Sequence, residues 1–217
     1  MKTITLIRHG QSLGNINSTY YVTTPDWKIP LSDTGRSQAE DVGKKLAIHL
    51  QSTSAALYFS PMYRAKETFE LMKSSIISNL SSIREEPLVS EQSFGMPNSY
   101  TNEFGNIEMM EVRESYGSFY YCPPDGESTL DVLMRGKRFL DEIEKRGHDN
   151  TVVVTHGSFM KVILMELLGW DVEYFDRVKR PDNCQIIHLQ GEFLGSWHCS
   201  EEMKFRKRKI KDHGDYA

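Results

Sequence analysis

Thr3-Ile4-Thr5-Leu6-Ile7-Arg8-His9-Gly10 near the start of the chain and Thr151-Val152-Val153-Val154-Thr155-His156-Gly157 towards its end share one build. Each is a short apolar, β-branched run that stops at His-Gly, and each is followed by a segment able to form a helix. Apolar runs of this length suit strands buried in a parallel sheet that is covered by helices. In such a sheet both histidines reach the carboxyl edge, where open α/β folds bind their ligands. The glycine after each histidine lets backbone approach a ligand closely.

The intervening sequence alternates in the same way. Ala39, Val42, Gly43, Leu46, Ala47 and Leu50 keep one helical face, with Ser32 or Asp33 as the cap. Ala55 to Phe59 reads as a strand. Ser60-Pro61 supplies a cap hydroxyl and a proline for the first helical position, predicting a helix from Pro61 to about Ser74. Leu133, Gly136, Leu140 and Ile143 predict a helix ending near Gly147. Met160, Ile163, Leu164, Leu167 and Leu168 predict another, closed by Gly169. Gln185 to Leu189 reads as a last core strand. The pattern predicts an α/β fold with a largely parallel central sheet. Glu91 to Asp125 interrupts it and gathers seven of the 23 aromatic residues: Phe94, Tyr100, Phe104, Tyr116, Phe119, Tyr120 and Tyr121. This stretch reads as a helical and aromatic insertion, or lid, over the carboxyl edge. Its aromatics form either a small core of their own or a stacking surface.

A length of 217 residues suits one domain, placed at 1–200, with a charged, basic-rich tail over 201–217. Hydrophobic residues at 39% and charged residues at 26% exclude a disordered or fibrous chain. The apolar runs fall far short of the roughly 20 residues that a membrane span needs. The first residues read as a strand and not as a signal peptide. Cys122, Cys184 and Cys199 form neither a disulfide framework nor a zinc pattern, so a reducing cytoplasm is the expected location. The net charge is −4, and setting aside the tail leaves 20 basic and 26 acidic residues, a body at −6. An acidic body argues against nucleic acid as a partner, which would need a basic face. The tail reads as a solvated extension or, alternatively, as a membrane or nucleic-acid anchor.

One His-Gly after a strand is ordinarily a turn. Two of them, with Arg8 beside the first and Arg64 following a third strand, place two guanidiniums and two imidazoles on one sheet edge beside helix N-termini. Forked guanidiniums and oriented N–H groups match the oxygens of a phosphoryl group. A neutral imidazole in line with phosphorus can act as a covalent nucleophile.

Leu6-Ile7-Arg8-His9-Gly10-Gln11-Ser12 with Asn15, Leu31-Ser32-Asp33-Thr34-Gly35 with Gln38-Ala39, Ser60-Pro61 with Arg64-Ala65 and Thr68, and Val154-Thr155-His156-Gly157 occur in an order that resembles the histidine phosphatase superfamily, the phosphoglycerate-mutase-like fold. The likeness runs from residue 2 to about residue 190. Arg84 to Pro87, Glu91-Gln92, Phe94-Gly95 and Pro124 to Ser128 are similar to a little-characterised, phosphatase-like branch of it. The resemblance implies a three-layer α/β/α architecture and a nucleophile at His9 that becomes a phosphohistidine. Arg8, Arg64 and His156, with Gly157 beside them, would hold the phosphoryl group. Glu91 stands where the family keeps its acid, the alternative being a solvated loop carboxylate. Asn15 either bonds a phosphate oxygen or fixes its loop, and Glu127 is either a helix-start carboxylate or a substrate contact. No metal and no cofactor is expected, because arginine and histidine supply the positive charge.

Three activities fit the resemblance: hydrolysis of a phosphomonoester, mutase-type transfer on a small sugar acid, and non-catalytic phosphate binding. A mutase must hold a doubly phosphorylated intermediate, yet from Gln92 to Asp125 Arg113 faces five acids, Glu103, Glu108, Glu111, Glu114 and Asp125. Hydrolysis is therefore expected, on a small phosphorylated substrate or a phosphopeptide, with one phosphate in the pocket and an aromatic or neutral remainder. The retained His9 argues against mere binding. The oligomeric state stays open.

Overall fold

The computed structural model describes residues 1–51, 53–95, 113 and 115–205. Among them six strands form one sheet in the order β3-β2-β4-β1-β5-β6, where β1 is Lys2–Arg8, β2 Ala55–Phe59, β3 Leu80–Glu85, β4 Asn150–Thr155, β5 Ile186–Gly191 and β6 Trp197–Cys199. The first four in that order run parallel, and β5 and β6 are antiparallel to their neighbours.

Helices cover both faces because successive side chains of a strand point opposite ways. Ile4 and Leu6 of β1 face a core with Phe139 and Phe159, from α5 (Thr129–Arg146) and α6 (Gly157–Leu168). Ile7 faces the other core, with Leu46 of α3 (Asp33–Leu50) and Phe69 of α4 (Tyr63–Ile76). The short helices α1 (Leu13–Ile16), α2 (Tyr20–Thr23) and α7 (Val172–Arg177) lie in the connections. The expected three-layer α/β/α fold with a largely parallel sheet is what the chain adopts. Ser32 caps α3 by accepting from Gly35 N, and α5 and α6 end on left-handed glycines, Gly147 at φ 74 and Gly169 at φ 66.

The register positions the site. Arg8 pairs with Thr155, and Phe59 with Val154, so His9, His156 and Ser60 follow three neighbouring strands at one level. The loop carrying them is locked to α3. A side chain on Gly10 would collide with the Gly35 carbonyl, and one on Gly35 with that of Gln11, so the two backbones touch there.

The start of α4 departs from expectation. Ser60 still belongs to the sheet edge, its N–H donating to Val154 O at 3.0 Å, and the helix begins at Tyr63 with Met62 in the cap position and no side-chain cap. The Ser60 hydroxyl is taken by His156 instead. The insertion is described at 91–95, 113 and 115–125, whereas Tyr100, Phe104, Glu103, Glu108, Glu111 and Glu114 lie outside the described residues. Phe119 is buried and meets Phe175 edge-on at 5.5 Å, joining the main core, whereas Tyr116 and Tyr120 are exposed. Of the tail, residues 201–205 pack on the body: Glu201 accepts from His188 N and Phe205 bridges to Val178. Residues 206–217 lie outside the described residues. No helix among the described residues is long and apolar enough to cross a membrane.

Candidate active site

His9 follows β1 and is almost fully buried. Its Nδ1 lies 2.7 Å from Gly10 O. A carbonyl only accepts, so the ring proton stands on Nδ1 and Nε2 keeps a free lone pair. Burial first, then the charges of Arg64 and Arg8, hold the imidazole well below its usual pKa, and it is neutral at pH 7.

His156 is the N-cap of α6, completely buried, with its ring centroid 5.0 Å from that of His9. Its Nε2 meets Ser60 Oγ at 2.8 Å. Ser60 Oγ accepts from Met62 N at 3.3 Å, and when it gives its own hydrogen to Nε2 the ring proton stands on Nδ1. Burial, Arg64 and His9 push this imidazole well below the usual range too. Among the described residues its Nδ1 has no hydrogen-bond partner, nor do the buried Arg8 Nε and Ser158 Oγ. Three unpaired buried polar atoms around one cleft demand an explanation, and a multivalent ligand supplies one.

The arginines are held from behind. Arg8 donates to Pro181 O at 2.7 Å, and burial lowers its pKa while Glu91 opposes the shift. Arg64, nearly inaccessible in the first turn of α4, donates through Nη1 to both the backbone and the carboxylate of Asp26 at 2.8 Å. Glu91 is not a solvated loop carboxylate. Its Oε1 accepts from Gln92 N at 3.0 Å and from Ser158 N at 3.1 Å, which anchors it at the N-terminus of α6. Gly157 lies between Arg8 and Arg180: a methyl group on it would sit 3.5 Å from Arg8 Nε and 3.3 Å from Arg180 Cδ. The geometry thus brings Arg8, His9, Arg64, Glu91, His156 and Gly157 together.

Asn15, in α1, ties that helix to the loop before it. Its Oδ1 accepts from Ser12 N and from Asn183 Nδ2, both at 3.1 Å. Glu127 neither starts a helix nor stands open to a ligand: its carboxylate pairs with Arg135 at 2.9 Å and accepts from Ser93 N.

Several site residues escaped the sequence reading. Asn183 also donates to His9 O at 3.0 Å, fixing the loop that carries the nucleophile. Arg135 donates to the carbonyls of Leu88, Ser90 and Glu91 and so holds the segment that presents Glu91. Tyr21 lies within the fields of Arg64, Asp26, Glu91 and Arg8, and burial pushes its hydroxyl pKa up. Its ring occupies the space in front of Gly14, where a Cβ would come within 2.8 Å. Asp26, Ser60 and Arg180 complete the set. Asn183, Asp26 and Arg180 sit in loops or short turns without periodicity, Tyr21 in a four-residue helix, and Arg135 on a long helix whose apolar spacing does not mark it.

Residues 4–197 match the family model described as the histidine phosphatase superfamily, branch 1. The chain is 36% identical to the phosphoglycerate mutase-like protein AT74H of Arabidopsis thaliana over 93% of its own length and 79% of that protein's. It is 30% identical to the broad-range acid phosphatase DET1 of Saccharomyces cerevisiae over 50% of its own length and 34% of that protein's. Among solved structures, a mycobacterial glucosyl-3-phosphoglycerate phosphatase with VO3 superposes at a TM-score of 0.72 and 18% identity, covering 93% of this chain and 99% of that one.

Proposed function

Since the chain belongs to the histidine phosphatase superfamily, we propose that it is a metal-independent phosphomonoester hydrolase working through a phosphohistidine on His9. The observation that carries this reading is a neutral, buried His9 whose Nδ1 is committed to Gly10 O, beside a buried His156 whose Nδ1 has no partner among the described residues. Nε2 attacks phosphorus, the P–N bond forms and the ester P–O bond breaks. Arg8, Arg64 and the His156 Nδ1–H hold the non-bridging oxygens as charge shifts onto them. Glu91 gives a proton to the departing oxygen and takes one back from the water that cleaves the phosphohistidine, releasing inorganic phosphate. The guanidiniums supply the positive charge that a metal brings to other phosphatases.

Hydrolysis is favoured over mutase-type transfer because a single basic residue against five acids between Gln92 and Asp125 is a poor holder of a bisphosphate. A reducing cytoplasm fits three free cysteines. Brief exposure to a labelled phosphomonoester should leave label on His9, stable in alkali and lost in acid, and His9→Ala should take none. Label on a serine or aspartate, or efficient isomerisation of a phosphorylated sugar acid, would overturn the proposal.

A further inference from the structure

Arg180 has no role in the reaction described above, yet it is built into the site. Its backbone segment is tied to the site along its length. Lys179 N donates to Lys204 O at 2.7 Å, and Pro181 O accepts from Arg8 at the same distance. Two residues on, Asn183 donates to His9 O at 3.0 Å, and Cys184 N donates to Arg8 O at 3.1 Å. The Arg180 stem lies against Gly157 beside Arg8, and its guanidinium carbon is 5.8 Å from the centre of the Phe94 ring at the base of the insertion. Arg113 stands 5.4 Å from the same ring.

The Arg180 guanidinium makes no ion pair and no hydrogen bond among the described residues. By contrast Arg64 has Asp26, and Arg135 has Glu127. Like charges near one another raise each other's free energy, and Arg180 acts on Arg8 in that way while Glu91 opposes it. A half-buried arginine kept there, stem packed and fork uncommitted, is prepared for an anion that arrives with the substrate. The phosphoryl group is already served by Arg8, Arg64 and His156, and Arg180 stands on the insertion side of Arg8, where the leaving portion has to lie.

We propose that Arg180, steadied by Phe94, is a specificity-determining residue that binds a carboxylate-type anionic group on the leaving portion of the substrate. This rests on the phosphomonoester reading of the site, and it replaces the neutral remainder expected from the acidic composition of the insertion. A planar guanidinium offers two parallel N–H groups to one carboxylate, a recognition that the acidic insertion does not oppose in the way it opposes a second phosphate.

Equilibrium binding of non-hydrolysable phosphonates tests this apart from turnover. Two matched pairs serve as probes: phosphonoacetate with phosphonoacetamide, and 4-carboxybenzylphosphonate with 4-carbamoylbenzylphosphonate. The protein should bind the acid of at least one pair tenfold or more tightly than the amide. Arg180→Gln should bring that ratio close to one, and Arg180→Lys should leave an intermediate ratio, with thermal melting confirming that both variants fold. No preference in either pair, or a preference that survives Arg180→Gln, would overturn the proposal. Equal weakening of acid and amide would overturn it too, by moving Arg180 onto the phosphoryl group. An acid preference lost in Arg180→Gln, in a protein that never labels His9, would support Arg180 as the anion reader and overturn the hydrolytic reading alone.

Discussion

At the scale of single residues, the chemistry depends on which nitrogen of each imidazole carries the proton, and each tautomer is set by one neighbour. Gly10 O takes the Nδ1 proton of His9, and the Ser60 hydroxyl takes Nε2 of His156. Ser60→Ala therefore removes the only ring partner of His156 among the described residues, the one that would turn its N–H to the phosphoryl side. Leaving a buried ring nitrogen unpaired costs about 1–3 kcal/mol, and a tenfold rate change corresponds to about 1.4 kcal/mol. The expected loss in kcat/KM is thus on the order of ten- to a hundredfold, with Ser60→Thr recovering much of it because the hydroxyl is kept. Phosphate release at saturating and at low substrate measures this, and a Ser60→Ala enzyme running at the parent rate would remove Ser60 from the positioning of His156. Glu91 makes a second prediction at this scale. Glu91→Gln should slow esters with poor leaving groups far more than activated aryl esters, because only the former need a proton at departure. An equal loss on both would take the acid role away from Glu91.

At the scale of elements, Glu91 is placed by something other than its own segment. The 3₁₀ turn Pro87–Val89 and the residues after it are joined to α5 by Arg135, which reaches three carbonyls and the Glu127 carboxylate from a largely buried position. Arg135→Met keeps the apolar stem and removes every one of these bonds. The variant should lose about 2 kcal/mol of stability, the typical worth of hydrogen bonds to a charged group. It should also show a milder form of the leaving-group dependence of Glu91→Gln. Destabilisation without that dependence would make Arg135 a purely structural clamp. The elements themselves were unequally legible. β1, β2 and β4 are buried on both faces, and an uninterrupted apolar run is their direct consequence. β3 escaped because it is an edge strand whose residues from Ser81 to Glu85 are exposed, so Leu-Ser-Ser-Ile-Arg-Glu carries no apolar alternation. Ser60-Pro61 misled because a local helix-start signature competed with a tertiary bond to His156, and the tertiary bond won. Arg8, His9, Arg64, Glu91 and His156 were readable because strand ends and motif order locate them. Asp26, Asn183 and Arg180 were not, because their place depends on where loops cross the sheet edge, which no local pattern records.

At the scale of the whole molecule, the site gathers positive charge and neutral histidine inside an acidic protein, and this shapes the dependence of stability on pH. His9 and His156 have folded pKa values well below the usual one, both through burial first, and His188 is lowered as well, by burial and by His49. As the pH falls below about 6.5, the unfolded chain takes up protons on these side chains while the folded chain does not. Stability therefore rises with pH through this window and is lost as pH falls, each fully buried histidine contributing about 1.4 kcal/mol per pH unit until its folded pKa is reached. Asp131 and Asp182, held low by hydrogen bonds to Ser128 and Lys204, act only below about pH 4, so the interval from pH 6.5 to 5 isolates the histidines. Denaturant melts between pH 7.5 and 5 should show a steep decline, and His156→Gln should reduce the slope by about 1.4 kcal/mol per pH unit. Orthovanadate or phosphate at a hundred times its dissociation constant should raise stability by about 2.7 kcal/mol at pH 7. The gain should persist at pH 5.5, because a bound anion favours the charged form of the same imidazoles that acid would otherwise force open. A stability that does not change with pH would mean that the folded and unfolded chains bind protons on these histidines equally, and one that rises as the pH falls would mean that the folded protein holds them charged, leaving His9 no lone pair to offer phosphorus. An unchanged slope in His156→Gln would remove His156 from the set.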